Sequence, residues 1–309
     1  MLLTPDPFYS THLQHTRFSS VIELEFTPMK PRLLVTGGAG FLGRHLLQRA
    51  REFTATGTLH RTAALAIPSV TFHVCDLQQP QNVRILLDRG KPDIIIHTAC
   101  SDQSGNLAGI TSAAGLLAQQ SAERHIRFIH LSTDQVFDGT AAPYKEDTAP
   151  CPIHPYGEAK TQAETLVRAL NPEATIVRTS LLYDLCSPDR QTTRLIDATA
   201  SIDPCYLFID EWRSPLWVEN LADCLLELAT KDLSGLLHIA GPQALNRWEL
   251  GMGLLEHFGK AATPNIQPGT IQESGLIRPP NLTLDSSCAQ HLLHTPLLSL
   301  RTAREQVTR

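Results

Sequence analysis

The sequence has no C-x-x-C pair, no long apolar run and no excess of basic charge, and each absence removes a class of function. Its seven cysteines (Cys75, Cys100, Cys151, Cys186, Cys205, Cys224 and Cys288) are odd in number and widely spaced. That pattern indicates neither a zinc ribbon nor a dithiol redox pair. Cys224 sits inside the apolar stretch ADCLLELA, as expected of buried thiols in a reducing cytoplasm. The 13 histidines show no H-E-x-x-H or other ligand spacing, so no metal site is expected. No apolar run approaches the roughly 20 residues that span a bilayer. Lys plus Arg is 26 against 31 Asp plus Glu, a net charge of −5. There is no basic excess to neutralise nucleic-acid phosphates, nor a polybasic anchor for a membrane surface. What remains, 42% hydrophobic and 18% charged residues, is globular composition. A chain of 309 residues has room for about two domains. The expectation is a soluble cytoplasmic monomer or small oligomer, a homodimer among the options.

Residues 1–28 differ from the rest. They carry no amphipathic period, two early prolines (Pro5 and Pro7) and acids at Asp6, Glu23 and Glu25. A secretory signal needs a basic start and an apolar centre, and a transit peptide should be acid-poor. A second methionine, Met29, precedes KPRLLVTGGAG directly. Residues 1–28 therefore read as a dispensable or disordered extension.

From Lys30 onward, strands and helices alternate. Arg32–Thr36 is a short β-rich run, and FLGRHLLQRAREF places Phe41, Leu42, Leu46 and Leu47 at helical spacing. Strands are expected at 55–60, 70–74, 92–99, 127–132 and from 173, with helices at 82–89, 105–125 and 155–170. The run PDIIIHTA is continuously apolar, as in a strand buried on both faces. This alternation implies crossovers between parallel strands, hence an α/β fold with a doubly wound parallel sheet of Rossmann type. Residues 29–185 form the dinucleotide-binding domain in this reading. Residues 186–309 form mostly a smaller substrate-binding lobe interleaved with the sheet, with strands near 206–209 and 236–240 and helices at 218–230 and 247–258.

LLVTGGAGFLG sets Gly37, Gly40 and Gly43 between a strand and a helix. Gly37 and Gly38 supply the tight turn, Gly40 lets backbone approach a pyrophosphate, and Gly43 lets helix pack on strand. The helix opened by Phe41 and Leu42 then points free N–H groups at the phosphates. NAD binders carry an acid about 20 residues further on, against the ribose hydroxyls. Here that window, TATGTLHRTA, holds no acid but offers His60 and Arg61. A cation there suits the 2′-phosphate of NADP(H), which is favoured over NAD(H); Arg61 facing solvent is the alternative. Thr98 and Ala99, at the end of a buried strand, lie on the cofactor side. His97 beside them is positional rather than catalytic.

Tyr156 and Lys160, in PYGEAK, are four residues apart on an expected helix and so share a face. A phenol ionises near ~10 unaided, and an adjacent ammonium favours the phenolate. Tyr156 can then deliver a proton to a carbonyl oxygen, with Lys160 also holding the ribose. Thr133, in HLSTDQVFDG, ends a buried strand, where ligands bind in open parallel sheets. Its hydroxyl is placed to hydrogen-bond the same carbonyl.

The glycine spacing resembles the extended short-chain dehydrogenase/reductase superfamily. STD-x-VFDG, YG-x-x-K and RTSLLY, then FIDEWRSPLWVENLADCLLEL, GLLHIAGPQALNRWELG and RPPNLTLD, resemble the dTDP-4-dehydrorhamnose reductase family of sugar-nucleotide reductases. The likeness runs from about Lys30 to about Leu293. It implies NADPH-dependent reduction of a 4-keto sugar on a nucleoside diphosphate, with Tyr156 as acid and Thr133 as oxyanion partner. It implies adenine contacts for Asp76 and Leu77; a cap before Gln78 is the other reading of Asp76. It places Asp134, Gln135 and Leu181 at the sugar. Arg213 and Arg278 are candidates for the diphosphate or for plain ion pairs. Three positions depart from the family. Gln135 stands where it usually has Tyr, Leu181 where it has Trp, and Leu282 where it has Ser. The family's usual Asn in the helix before STD is also missing, Thr111 being nearest by position. Two other readings remain: an epimerase or dehydratase of the superfamily, which usually prefers the missing acid, and a non-catalytic NADP-binding regulatory subunit.

Overall fold

The apolar runs of the first half become strands because only a sheet covered on both faces can bury them completely. A computed structural model describes residues 29–60, 66–100 and 107–308. The expected extension at 1–28 and the expected cofactor residue Arg61 lie outside the described residues. The first half runs β1 (Arg32–Thr36), α1 (Phe41–Arg49), β2 (Thr54–Leu59), β3 (Thr71–Val74), α2 (Pro80–Gly90), β4 (Ile94–His97), α3 (Leu107–Glu123), β5 (Arg127–Thr133), α4 (Pro155–Leu170) and β6 (Thr175–Thr179). A single 3₁₀ turn, Asp134–Val136, follows β5. The second half adds β7 (Leu182–Tyr183), α5 (Arg190–Ala198), β8 (Cys205–Phe208), β9 (Trp212–Arg213), β10 (Leu216–Trp217), α6 (Val218–Ala229) and β11 (Gly235–His238). It ends with β12 (Leu245–Asn246), α7 (Arg247–His257), β13 (Ile266–Gly269), α8 (Ile271–Ser274), α9 (Ser287–Leu292) and α10 (Leu300–Val307).

Seven strands form one sheet in the order β11-β6-β5-β4-β1-β2-β3, every pair parallel. The doubly wound Rossmann-type sheet is thus present. Strand order reverses between β1 and β4, and ligands of such sheets bind in the crevice outside that point. Both faces are covered. Leu33, Val35, Ile94, Ile96 and Ile129 face Leu46 and Leu47 of α1 and Leu221, Leu225 and Leu228 of α6. Leu34, Ile95, Phe128 and Ile176 face Val83 and Leu87 of α2, Leu117 of α3 and Ala163 and Val167 of α4. Truncating one such leucine or isoleucine to alanine costs ~2–5 kcal/mol.

The second half returns to the sheet at β11 and otherwise builds small pairings around the C-terminal strand ends. β8 pairs with β13 in parallel, β9 with β12 antiparallel, and β7 with β10 in parallel. Helices α5, α8, α9 and α10 were not expected from periodicity. α5 is short and polar, but the Asp189 carboxylate accepts from Gln191 N and Thr192 N at its start and secures it. No helix among the described residues is long and apolar enough to cross a membrane.

Candidate active site

The glycine loop occupies the switch point. Gly37, directly after β1, has φ +69°. A Cβ there would lie 2.8 Å from Ala99 Cα, so a side chain would push apart the ends of β1 and β4. A Cβ on Gly43 would lie 2.2 Å from Gly37 O, which is why α1 can start flush against the loop. Gly40 is the exposed N-cap of α1, with no capping side chain and no acid in the first turn. The helix therefore presents open N–H groups beside backbone that nothing bulkier than glycine could bring so close. That arrangement fits the pyrophosphate of a dinucleotide. Phe41 and Leu42 are half-buried and pack toward Leu181 and Leu182.

The neighbouring strand end is tied to the loop. Thr98 Oγ1 donates to Thr36 O at 2.7 Å, and Ala99 N donates to Thr36 Oγ1 at 3.4 Å. Thr36 Oγ1 also bonds His97 Nδ1 at 2.7 Å. Burial, then the nearby Lys160, holds the His97 imidazole at a pKa of about 3, so it stays neutral and serves position only. His60 is exposed at the end of β2. Asp76 accepts from Gln78 N at 3.0 Å, the turn-capping alternative named above, and half-buried Leu77 packs on the α2 side of the sheet.

Thr133 ends β5 with its side chain accepting from Gln135 N at 3.2 Å, which starts the 3₁₀ turn. Its hydroxyl reaches Asp134 Oδ1 only at 3.3 Å, a long bond that a better acceptor can replace. Helix α4 begins at Pro155, whose missing N–H costs nothing in the first turn. A Cβ on Gly157 would fall 2.1 Å from Gln135 O. Glycine there lets the turn after Thr133 lie directly on the helix turn that carries Tyr156. Tyr156 is half-buried, and Cys100 Sγ donates to its hydroxyl at 3.7 Å. Lys160 is 3% exposed, and its ammonium donates to Leu131 O at 2.5 Å. Burial pushes the Lys160 pKa down, while Cys100 and Glu164 pull it back up. Thr111 Oγ1 donates to Ala159 O at 3.1 Å, tying α3 to α4 one residue before Lys160. The structure thus gathers Thr133, Tyr156 and Lys160 on β5 and the start of α4, beside the loop end of β4.

The expected substrate residues divide. Gln135 and Leu181 are half-buried, Gln135 in the turn after Thr133. Arg278 is exposed, lies over the Phe208 ring at 5.4 Å and pairs with Glu211 at 3.0 Å. Asp134 and Arg213 are instead interior. Asp134 is 2% exposed and accepts from Ser180 Oγ at 2.6 Å. Arg213, 5% exposed, spans Asp134 at 3.0 Å and Glu211 at 3.3 Å. The resemblance implied sugar contact for Asp134, and for Arg213 the sequence left open the diphosphate or an ion pair; the fold shows the ion pairs. The physical reason for the difference is that a buried guanidinium needs counter-charges, and these two carboxylates supply them.

The same fold is found in known proteins. Residues 30–309 match the RmlD substrate binding domain family. The chain belongs to that family. It is 34% identical over 222 residues to a dTDP-4-keto-6-deoxy-D-glucose reductase of Streptomyces niveus, covering 68% of this chain and 73% of that protein. It is 27% identical over 284 residues to methionine adenosyltransferase 2 subunit beta of Xenopus tropicalis, covering 86% and 84%. Its fold superposes with a TM-score of 0.77 on dTDP-4-dehydrorhamnose reductase of Bacillus anthracis in complex with NADP, at 21% identity and covering 90% and 98%. The resemblance to extended short-chain reductases of this type therefore holds over the whole described fold.

In this RmlD-family chain, sequence reasoning missed a buried polar layer beneath Tyr156 and Lys160. Glu164 of α4, 2% exposed, accepts from Arg178 Nε at 3.0 Å and Nη2 at 2.7 Å, and from Ser132 Oγ at 2.5 Å. The one available signal was spacing, since Tyr156, Lys160 and Glu164 recur every four residues on one helix face.

Proposed function

We propose that the chain is an NADPH-dependent reductase of a 4-keto sugar carried on a nucleoside diphosphate. The observation that carries this reading is the convergence of the glycine loop and the Thr133–Tyr156–Lys160 set on the same strand-end crevice. Membership of the RmlD family and the Streptomyces niveus relative, named as a dTDP-4-keto-6-deoxy-D-glucose reductase, support it. The cofactor, when bound over the loop, supplies a hydride to the sugar carbonyl carbon. Gly37, Gly40, Gly43, Phe41 and Leu42 would hold its pyrophosphate side, Thr98 and Ala99 its nicotinamide side, and Asp76 and Leu77 its adenine. Thr133 exchanges its long bond to Asp134 for one to the substrate oxygen. Tyr156 delivers the proton to that oxygen, and Lys160 stabilises the phenolate left behind. Gln135 and Leu181 border the sugar. Arg278, exposed beside Glu211, would meet the diphosphate, whereas Asp134 and Arg213 hold the turn that presents Thr133 and Gln135.

The preference for NADPH rests on the lack of an acid at the end of β2, on His60 and the cation of Arg61, and on the NADP-bound Bacillus anthracis structure. Arg61→Ala should weaken NADPH far more than NADH; a charged hydrogen bond to phosphate is worth ~1.5–3 kcal/mol, or about 10- to 150-fold. Equal weakening of both cofactors would place Arg61 in solvent. The test of the reaction is a screen of nucleoside-diphosphate 4-keto sugars with NADPH, following loss of the reduced-nicotinamide absorbance. The match to methionine adenosyltransferase 2 subunit beta favours one other reading, a cofactor-binding regulatory subunit. Tight NADPH binding with no turnover of any 4-keto sugar in that screen would select it.

A further inference from the structure

Glu164 carries more than a fold role. It lies one turn beyond Lys160 and two beyond Tyr156, on the same face of α4. Its carboxylate is bonded to two strands at once: Ser132 of β5 at 2.5 Å and, bidentately, Arg178 of β6 at 3.0 and 2.7 Å. Arg168 of the same helix adds a looser contact at 3.9 Å. Arg178 is 1% exposed, its guanidinium also lying 5.0 Å from the Phe137 ring. This clamp sets the rotation of α4 against the sheet, and with it where Tyr156 and Lys160 stand.

The charges around Lys160 sharpen the point. His97 of β4 and His130 of β5 lie near enough for its charge to act on them, and burial first, then that charge, keeps both neutral, His97 at a pKa of about 3 and His130 well below its ordinary value. Their rings lie tilted to each other, centroids 5.2 Å apart, so they close off the sheet side without offering negative charge. Leu131 O gives one hydrogen bond. Cys100, bonded to the Tyr156 hydroxyl, lies beyond β4. Of the groups facing Lys160 from α4, β4 and β5, Glu164 is the one carboxylate among the described residues.

We infer that Glu164 is a positioning residue for the Tyr156–Lys160 pair: clamped by Arg178 and Ser132, it fixes the catalytic face of α4 and places a buried carboxylate one turn from Lys160. The inference rests on the reductase reading above for what the pair does, but not for the geometry. If it holds, Glu164→Gln loosens the clamp, removes one of the two groups (with Cys100) that hold the Lys160 pKa up, and leaves Arg178 as an unbalanced cation nearby. Lys160 then loses its proton at lower pH, and Tyr156 loses the ammonium that favours its phenolate.

The test uses the full chain without cofactor and then with NADPH and a 4-keto sugar nucleotide. Ultraviolet difference titration against Tyr156→Phe isolates the Tyr156 phenolate. In Glu164→Gln its midpoint should move alkaline by about one unit or more. With substrate, turnover should fall about three- to tenfold near neutral pH, because the weaker acid releases its proton less readily, and its alkaline limb should move up with the Tyr156 midpoint, with KM for the sugar nucleotide unchanged. Glu164→Asp, which keeps the charge, should restore most of both. Glu164→Met paired with Arg178→Met removes both buried charges and guards against misfolding of the single variant; it should fold and keep the displaced titration. An unmoved Tyr156 titration in Glu164→Gln, or a wild-type titration in the double variant, overturns the inference. Retained turnover in Tyr156→Phe would instead overturn the reductase reading of the pair, and the titration would still judge Glu164.

Discussion

A methyl group added at Gly157 should disable the site without emptying it. The ideal Cβ of residue 157 falls 2.1 Å from the carbonyl oxygen of Gln135, with Pro152 Cβ at 2.9 Å on its other flank. A carbon–oxygen contact needs about 3.3 Å, so the first turn of α4 and the turn after Thr133 must part by about 1 Å. The atom in the way is backbone, and it belongs to a turn already fixed by the bond from Gln135 N to Thr133 Oγ1. It cannot swing aside as a side-chain tip would. Tyr156 precedes the added methyl, and Thr133 lies two residues before the displaced carbonyl, so the strain separates the two groups that must meet one substrate oxygen. A misplacement of about 1 Å costs on the order of 10²-fold in rate. Overpacking costs ~1–3 kcal/mol of stability, offset by up to ~1 kcal/mol from replacing a helical glycine by alanine. Gly157→Ala should therefore fold, lose only a few degrees of Tm, bind NADPH nearly as wild type, and turn over about 100-fold more slowly. Thermal melts, cofactor titration and steady-state kinetics measure the three quantities separately. Wild-type kcat in a folded Gly157→Ala protein would refute the claim that this contact sets the Thr133–Tyr156 geometry.

Three further outcomes follow from the same structure. Tyr156→Phe keeps the ring and its packing but removes the proton donor, so NADPH binding should survive while kcat falls ~10²–10⁴-fold, as for other positioned acid–base groups; most activity retained would assign the proton to another residue. Gln135→Tyr combined with Leu181→Trp should raise kcat/KM for a dTDP-4-keto-6-deoxy-mannose substrate, because two aromatic contacts at ~0.5–1.5 kcal/mol each amount to roughly 5- to 150-fold; efficient turnover of that sugar by the unmodified chain would show that these positions do not choose it. Asp184 is fully buried, and although burial alone would raise its pKa, the His45 ring at 3.4 Å and hydrogen bonds from Cys186 N and Ser187 Oγ hold it at about 2 against an ordinary 3.8. A depressed carboxyl stabilises the fold above its unfolded pKa and loses that contribution as pH falls through the folded one, so Asp184→Asn should cost about 2 kcal/mol at neutral pH in urea unfolding, the gap closing between about pH 4 and pH 2.

How far the fold could be read from the sequence depended on whether a segment's own chemistry decides its conformation. α4 spans Pro155–Leu170, as its N-terminal proline and apolar stripe predict, and β4 lies within the apolar run that marked it. The glycine loop was legible because each glycine answers a local need for a turn or a close approach. The short strands β7, β9, β10 and β12 were not, since a two-residue pairing is set by its partner rather than by its own side chains. The same reason hid the buried network: Ser132, Glu164 and Arg178 come from three elements and meet only after the sheet has formed. Arg213 stayed open between an anion site and an ion pair because sequence shows one cation without its neighbours, and the fold brings Asp134 and Glu211 to it.

The departures from the related reductases acquire different weights once their surroundings are known. Leu282 is fully buried and packs with Val136, Phe137, Tyr144, Ala240 and Leu284. A leucine for serine there fills an apolar cluster under the turn after Thr133, so it bears on packing and not on the sugar. Leu181 is half-buried between Phe41 and Leu42 of α1 and the cluster around Tyr183 and Trp217, where cofactor loop and lobe meet. Its smaller side chain leaves room at that junction. Gln135 is the sharpest case. Its backbone is held at both ends, the N–H by Thr133 Oγ1 and the carbonyl against Gly157, while its side chain takes no part in that hold. Side-chain identity at 135 is thus uncoupled from the geometry that presents Thr133 to Tyr156. If residues 135 and 181 border the sugar, as proposed, a chain of this fold changes which sugar it accepts there while the acid, the ammonium and the buried carboxylate behind them stay where they are.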